Sequence, residues 1–462
     1  MTITRTAVLA MLAWLCLPAC ANTGVSGEPD ATDVPAETDP VCGNAIVEEG
    51  EECDGSDEPC RGPECPGWRT CLDDCTLGEC VSGTFQILSG PSHVNEDVGF
   101  EQVTRIDLAW AGSRYGVFYS GRRVDPMPLT QTAYFTPVSL EAEVAGPTRQ
   151  ILPDLYVIEE IQAEWNPSAR NYGVLLVTAS PDDNLIANLA DAAGDVLIDI
   201  GVLITSESEA SHARAVLGQN GYGFTWQMGP RAAAFARLSE DLVILDLMSV
   251  DSDEPSESFR RPLLATQADD YHVLSHVDDP SSSHFELTAL RFTAGGYSTT
   301  LHSPFADTSP GHGHPADMVL TDTHDMVVFG VDTAPGDPVL PVLLGRYDHE
   351  RETAETMTLD GVGLTASAPY DVSITLNGDT LAIALASADL DDPSAYRQLV
   401  IHRTLLDGTP IGSSVLVPVD RDASMPSIAW DGEAYAIAYA VDRGGGEADV
   451  DVELVRLGCQ MP

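Results

Sequence analysis

A two-strand pattern recurs seven times between Arg105 and Tyr439 and constrains the fold more than any other feature of the chain. Each copy reads as an apolar strand, a tight polar turn and a second apolar strand that opens on an aromatic or large apolar residue. The opening residues are Tyr115, Tyr172, Tyr222, Tyr271, Met326, Leu381 and Tyr435, at successive gaps of 57, 50, 49, 55, 55 and 54 residues. A unit of this size cannot bury its strand faces alone, so neighbouring copies must cover one another.

The repeat predicts an all-β fold, a seven-bladed β-propeller over residues 84–459 preceded by a small disulfide-rich module. Most copies contain a third and a fourth strand candidate, but the seventh ends after its third. An unassigned strand candidate at residues 84–89 precedes the first copy, so we expect it to close the last blade from outside. The recurring tyrosines are expected to pack between blades. A tandem of immunoglobulin-like sandwiches is the alternative, but no Pro/Gly-rich linkers separate the copies.

The charge of the chain limits its partners. It has 72 acidic and 22 basic residues, a net charge of -50, and every basic residue is an arginine. Nucleic acid is excluded as a partner, because phosphate binding requires clustered cations. The acidic surface indicates either adaptation to high salt or a genomic preference for arginine codons combined with ordinary acidic solubility.

The first nineteen residues are expected to form a signal peptide that is removed. Arg5 precedes an apolar run that is too short to span a bilayer. The sequence Leu17-Pro18-Ala19-Cys20 resembles the lipobox of bacterial lipoproteins, and this resemblance implies that Cys20 is acylated and anchors the protein to the outer membrane or cell surface. The alternative is secretion after Ala19 with Cys20 in a disulfide. Residues 20–41 are small, acidic and Pro-rich, which predicts a disordered tether.

A cysteine-rich module follows at residues 42–80. In an exported chain this density of cysteines predicts a disulfide framework, whereas structural zinc is disfavoured by an oxidising compartment and by the lack of histidine in the segment. The candidates for disulfide bonds are Cys42, Cys53, Cys60, Cys65, Cys71, Cys75, Cys80 and Cys459. A bridge between Cys80 and Cys459 is favoured, because it joins the two ends of the propeller and leaves six cysteines for three bridges.

The start of this module, CGNAIVEEGEECDG, resembles the cysteine-rich repeat of myxobacterial surface proteins. Ala45 replaces a customary glycine, and residues 60–65 resemble an insertion. The resemblance implies an extracellular, disulfide-stapled module without established chemistry.

Two kinds of ion site are conceivable. Acidic loops follow the second strand of most copies and could bind Ca²⁺ through oxygen ligands, although none has the alternating aspartates of a preorganised calcium loop. His312 and His314, separated by one residue, could bind a transition metal with Asp317 as a further ligand. No resident cofactor is otherwise expected.

The function predicted from the sequence is non-catalytic. None of the nucleophile, zinc-hydrolase or sialidase motifs is present, and 72 carboxylates make coincidental acid pairs inevitable. We expect a monomeric, lipid-anchored envelope protein that presents its propeller to a protein or glycan. The alternatives are a surface hydrolase or lyase acting on polysaccharide, recognisable by a central pocket with convergent Arg, Tyr, Asp and Glu, and a structural spacer.

Overall fold

The computed structural model describes residues 52–460 apart from short gaps. The gaps are residues 55, 63, 73, 96–99, 124–130, 153–156, 181–183, 200, 206–209, 230–231, 252–257, 269, 280–281, 294–295, 303–312, 332–337, 366–370, 389–395, 420 and 443–449. The described regular elements are all β-strands. No helix with the length and apolarity needed to cross a membrane occurs in this part of the chain.

The described residues divide into two compact units. The smaller comprises residues 52–57 and 70–78, and the larger comprises residues 58–69 and 79–460. A disulfide joins Cys53 to Cys71 in the smaller unit, where the backbone N–H groups of Glu52 and Cys53 donate to the carbonyl of Cys75. This unit has few apolar residues, so the cross-link replaces a core.

A three-stranded sheet precedes the repeats, in the order β1-β2-β3. Its strands are β1 (Glu58–Arg61), β2 (Pro66–Cys71) and β3 (Leu77–Ser82).

Seven antiparallel blades follow, as the fifty-residue repeat predicts, and one residue pair, Val450 with Phe100, connects the strands of blades 7 and 1. Blade 1 contains β5 (Phe100–Trp110), β6 (Tyr115–Arg123), β7 (Gln131–Val138) and β8 (Arg149–Gln150). Blade 2 contains β9 (Val157–Asn166), β10 (Asn171–Ser180), β11 (Leu185–Asp191) and β12 (Val202–Thr205). Blade 3 contains β13 (Ala210–Gly218), β14 (Gly221–Met228), β15 (Ala232–Leu238) and β16 (Ile244–Asp251).

The remaining blades have the same order. Blade 4 contains β17 (Ser258–Gln267), β18 (Asp270–Asp279), β19 (Ser282–Thr293) and β20 (Gly296–His302). Blade 5 contains β21 (Gly313–Leu320), β22 (His324–Val331), β23 (Val339–Asp348) and β24 (Thr353–Thr365). Blade 6 contains β25 (Val372–Asn377), β26 (Thr380–Ser387), β27 (Gln398–Leu405) and β28 (Val415–Val417). Blade 7 contains β29 (Asp422–Trp430), β30 (Ala434–Asp442), β31 (Val450–Gln460) and the early strand β4 (Thr84–His93).

Blade 7 is completed by chain from both ends of the repeat region. Strand β4 pairs antiparallel with β31, in a register that sets Cys459 opposite Phe85 and Glu453 opposite His93. The strand placed at residues 84–89 by the sequence therefore lies at the outer edge of the last blade and continues to His93. This pairing gives the seventh blade a fourth strand, as in the other six blades.

The predicted bridge between Cys80 and Cys459 is wrong. Cys80 pairs with Cys60, whereas Cys459 pairs with Cys65 across 394 residues of sequence. Cys65 lies in the turn between β1 and β2, so it is this turn that is tied to β31. Disulfide-bonded cysteines indicate an extracellular or envelope location, because such bonds persist in oxidising compartments. Cys20 and Cys42 lie outside the described residues.

The recurring tyrosines pack between blades, as predicted. The ring of Tyr172 in blade 2 lies against Gly116 in blade 1, so a Cβ added at Gly116 would be 2.7 Å from Cζ of that ring. Tyr222 covers Gly173 in the same way, and Tyr271 covers Gly223, with corresponding distances of 2.3 and 2.4 Å to Cε1. Each glycine directly follows the opening tyrosine of its own blade, which makes a repeated tyrosine-on-glycine contact.

Candidate functional site

An axial pocket of about 480 Å³ is lined by the innermost strands of all seven blades. The residues that line it occupy equivalent positions along those strands. The last pocket-lining residue of each innermost strand belongs to what we call the rim: Trp110, Trp165, Leu217, Thr266, Leu320, Leu376 and Trp430. Three residues earlier lies the floor position, which lines the pocket in six blades: Asp107, Gln162, Arg214, Asp317, Ser373 and Ser427. In blade 4 this position is Leu263, which does not line the pocket. The floor is mainly polar, whereas the rim is mainly apolar.

Bulges position the floor side chains. The pairing register shifts directly before Leu263 in blade 4 and before Ser427 in blade 7, and shifts also precede Arg214 and Asp317. A bulge bends the strand and changes the direction of the side chains that follow it. The irregularity therefore recurs directly before the floor position in blades 3, 4, 5 and 7.

Floor side chains form hydrogen bonds to the following blade at four of the interfaces between blades. In each case a floor oxygen accepts a hydrogen bond from the backbone N–H of the residue after the floor position in the following blade. The pairs are Asp107 Oδ2 with Ala163 N (2.6 Å), Asp317 Oδ2 with Ile374 N (2.8 Å), Ser373 Oγ with Ile428 N (3.2 Å) and Ser427 Oγ with Leu108 N (3.0 Å). These bonds satisfy inner-edge donors that have no strand partner.

The two floor aspartates use both of their oxygens in such contacts. Asp107 Oδ1 accepts from Leu108 N and from Ser427 Oγ, each at 3.0 Å. Asp317 Oδ1 accepts from Met318 N, also at 3.0 Å. Burial raises the pKa of both carboxyls, and these hydrogen bonds oppose the effect. Their contacts are those of structural groups that hold adjacent blades together.

Glu164 is the exception among the acids of the pocket. It lies directly before rim residue Trp165, at a position that the other blades fill with Ala109, Val216, Ala265, Val319, Thr375 and Ala429. Among the described residues, none donates a hydrogen bond to its carboxyl group. Burial, followed by the charges of Asp107 and Asp317, raises the pKa of Glu164 to about 8. The side chain therefore keeps its proton at neutral pH and can donate a hydrogen bond into the pocket.

Arg214 supplies a cation on the floor. Its guanidinium donates to the carbonyl of Ala213 (3.2 Å) and, from blade 3, to the carbonyl of Ala316 in blade 5 (3.4 Å). Burial and the nearby charge of Arg105 lower the pKa of Arg214 to about 10, which still leaves it protonated at neutral pH. Its charge balances part of the acidity of the floor.

Three tryptophans form one side of the rim. Trp430, Trp110 and Trp165 belong to the adjacent blades 7, 1 and 2. Each packs against the opening tyrosine of its own blade, with ring centroids 4.6 to 4.9 Å apart. All three are partly exposed and line the pocket. The pocket therefore combines an aromatic wall with a floor of hydrogen-bonding groups.

The sequence anticipated little of this site. Asp317, proposed as a metal ligand, instead joins blades 5 and 6. His312 and most of the acidic loop residues lie outside the described residues, and for His314 only its strand, β21, is described. Glu164 was missed, although aligning the seven copies by register would have revealed one acid where the other copies have small or apolar residues.

No protein-family model matches the chain. Solved structures with a similar fold include a subtype N10 neuraminidase-like protein of A/little yellow-shouldered bat/Guatemala/060/2010, with 10% identity, a TM-score of 0.43, and coverage of 82% of this chain and 99% of that one. A protein of unknown function from Dyadobacter fermentans DSM 18053 has 7% identity and a TM-score of 0.48, with coverage of 81% and 99%. A neuraminidase-like protein from A/bat/Guatemala/164/2009 has 10% identity and a TM-score of 0.43, with coverage of 82% and 95%.

Proposed function

We propose that this exported propeller binds a segment of a glycan in its axial pocket and does not cleave it. The observation that carries the proposal is the pairing of three tryptophans on adjacent blades with a polar floor. The faces of a sugar ring present C–H groups, which pack on aromatic rings, while its edges present hydroxyl groups that both donate and accept hydrogen bonds. A mostly apolar wall with a few fixed polar groups is the usual composition of a small-ligand site.

The polar groups of the pocket match uncharged sugar hydroxyls. Protonated Glu164 and Arg214 can donate, and Gln162 and Thr266 can donate or accept. A pocket volume of about 480 Å³ suits one or two sugar rings better than a protein segment. A uniformly acidic spacer has no use for such a concave, aromatic site.

The contacts of the acids support binding without cleavage. Hydrolysis of a glycosidic bond generally requires one carboxyl group as acid and a second as base or nucleophile. Glu164 could act as the acid. Asp107 and Asp317, however, have both oxygens engaged by backbone or hydroxyl donors of their own and adjacent blades.

A glycan array followed by calorimetry on the best ligand tests the proposal. We expect Trp165→Ala to weaken binding at least tenfold, because the aromatic wall is lost. Trp68→Ala is the matched control, since Trp68 is 51% exposed and lies outside the pocket; its affinity should equal that of the wild type.

Two results would reject the proposal. The first is the absence of any glycan ligand for the folded protein, and the second is an equal loss of affinity in the two tryptophan variants. Chromatography of the bound oligosaccharide after long incubation separates binding from hydrolysis. Shortened products that disappear in Glu164→Gln would support an enzyme instead.

The protein is further proposed to be held at the bacterial outer membrane or cell surface through acylated Cys20. The resemblance to a lipobox supports this location. Replacement by Cys20→Ser should move the protein from the membrane fraction to the soluble fraction of cells that express it. Intact-mass measurement would detect the missing lipid, and an unchanged mass and distribution would count against the anchor.

A further inference from the structure

The contact between blades 4 and 5 breaks the repeated packing rule. Leu320 pairs with Asp325 across a four-residue turn, as Trp110 pairs with Tyr115 and Trp430 with Tyr435. Asp325, rather than Met326, is therefore the opening residue of blade 5. The opening residues of the other six blades are tyrosines or a leucine.

The residue of blade 4 that faces the opening residue of blade 5 also departs from the repeat. The residue after the opening tyrosine is a glycine in blades 1 to 3, where it receives the ring of the next blade. In blade 4 this residue is His272. Where three consecutive interfaces have tyrosine on glycine, this one places an aspartate against a histidine.

A third side chain completes the cluster. His272 Nδ1 lies 2.8 Å from Asp325 Oδ1 and 3.0 Å from Oδ2, while His349 Nε2 lies 3.0 Å from Oδ2. One ligand atom from each residue can be chosen so that all lie within 4.8 Å of one another. His349 follows β23, so blade 5 contributes two of the three groups and blade 4 contributes the other.

The cluster is largely buried, but its two histidines remain partly accessible to solvent. Asp325 is 1% exposed, whereas the side chains of His272 and His349 are 12% and 25% exposed. A buried carboxylate is costly unless a positive charge or several hydrogen bonds compensate it. Retaining one where the repeat otherwise packs an apolar or aromatic group indicates a role other than stability.

The exposed side of the cluster faces a second cavity. This cavity, of about 280 Å³, is lined by both histidines and by Tyr347, His302 and Arg291. The ring of His302 lies 5.4 Å from that of Tyr347. A group bound between the three residues could therefore exchange water or a small oxygen ligand with the cavity.

We propose that His272, Asp325 and His349 bind one divalent transition-metal ion of the zinc class. Two imidazoles and one carboxylate favour such ions, whereas Ca²⁺ and Mg²⁺ prefer sites made of oxygen atoms alone. Three protein ligands leave at least one coordination position for water from the cavity, which is the arrangement of an open site. This inference is independent of glycan binding, because none of the three residues lines the axial pocket.

Metal titration of the purified chain, after treatment with a chelator, tests the site. We expect one Zn²⁺ per chain by mass spectrometry and calorimetry, competition by Co²⁺ with visible absorption bands of a low-coordinate ion, and no competition by Ca²⁺. Asp325→Asn should weaken Zn²⁺ binding by at least tenfold.

A double variant distinguishes loss of the metal ligands from unfolding of the protein. His272→Gly with Asp325→Tyr restores the tyrosine-on-glycine contact of blades 1 to 4, so it should keep the circular dichroism spectrum of the wild type and lose the high-affinity Zn²⁺. Zn²⁺ should raise the Tm of the wild type but not that of this variant.

Two control variants separate this site from other histidines. His324→Ala alters a neighbour of Asp325 outside the cluster, and His312→Ala with His314→Ala removes the pair singled out from the sequence. Both should retain one Zn²⁺ at wild-type affinity. Unchanged binding in the folded double variant, loss only on removing His312 and His314, or no binding by the folded wild type would each overturn the proposal and leave the cluster a hydrogen-bonded ion pair.

Discussion

Glu164 illustrates how a single register position determines the chemistry of a side chain. The equivalent positions of the other six blades are alanines, valines and a threonine, so none of them supplies a basic partner for Glu164. Asp107 and Asp317, which are fixed by backbone donors, add negative potential. The combination favours the neutral form of Glu164 and provides a hydrogen-bond donor without a net charge.

This environment predicts a specific pH dependence of stability. Below pH 4.5, the ordinary value for the residue, Glu164 is protonated in both the folded and unfolded states and costs nothing. As the pH rises towards 8, the unfolded chain releases the proton while the folded protein retains it, so the free energy of unfolding falls, and the loss is complete above about pH 8. The slope should remain below the limit of about 1.4 kcal/mol per pH unit, because the carboxyl group is partly exposed to the pocket.

Glu164→Gln removes this titration. Urea unfolding at pH 5 and pH 8 should show the variant gaining stability relative to the wild type as the pH rises. Glu141→Gln, at an exposed glutamate of a turn, is the control and should show no such trend. A constant difference between Glu164→Gln and the wild type across this range would refute the elevated pKa.

At the scale of the element, the tyrosine-on-glycine contact sets how closely adjacent blades approach. The absence of a side chain at Gly173 lets the ring of Tyr222 approach β10 closely, and the Tyr222 hydroxyl donates to Asn171 Oδ1 at 3.0 Å. Tyr222 is completely buried, and Asn171 is 8% exposed. The contact is therefore steric and polar together, and neither part tolerates a larger residue.

Gly173→Ala should destabilise the protein by about 1–3 kcal/mol, because the added methyl group would lie 2.3 Å from a buried ring. In an unconstrained strand the same change is stabilising, because it reduces the freedom of the unfolded chain. Denaturant unfolding of Gly173→Ala, Tyr222→Leu and the double variant gives the coupling between them. The double variant should lose less stability than the sum of the single ones, and strict additivity would refute steric contact.

The sequence predicted the elements better than the sites. The spacing of the repeats is a property of strands and turns, so it predicted seven blades. The opening residue of blade 5 was assigned to Met326 because a large apolar residue fits the pattern, yet the pairing of Leu320 with Asp325 shifts the register by one. A one-residue shift exchanges the two faces of a strand. The cluster around Asp325 was hidden for this reason, and also because His349 is brought near only by the fold.

At the scale of the whole molecule, closure depends on contacts between the two ends of the repeat region. Strand β4 contributes backbone pairing to β31, and Cys65 contributes a covalent bond to Cys459. The sequence predicted that Cys459 would be bridged to Cys80, whereas its partner is Cys65. The choice depends on the fold of the β1–β2 hairpin, where Cys60 is taken by Cys80 and Cys65 occupies the turn.

The bridge between Cys65 and Cys459 should contribute strongly to the stability of the propeller. Cross-linking residues 394 apart restricts the unfolded chain by about 6 kcal/mol in the chain-entropy account, which is an upper estimate, and measured losses are typically about 2–5 kcal/mol. Cys65→Ser with Cys459→Ser should lower the urea midpoint followed by tryptophan fluorescence. Cys53→Ser with Cys71→Ser is the matched control, because that bridge closes only 18 residues in the smaller unit and should leave the midpoint of the propeller unchanged. If both pairs gave the wild-type midpoint, closure would rest on the pairing of β4 with β31 alone.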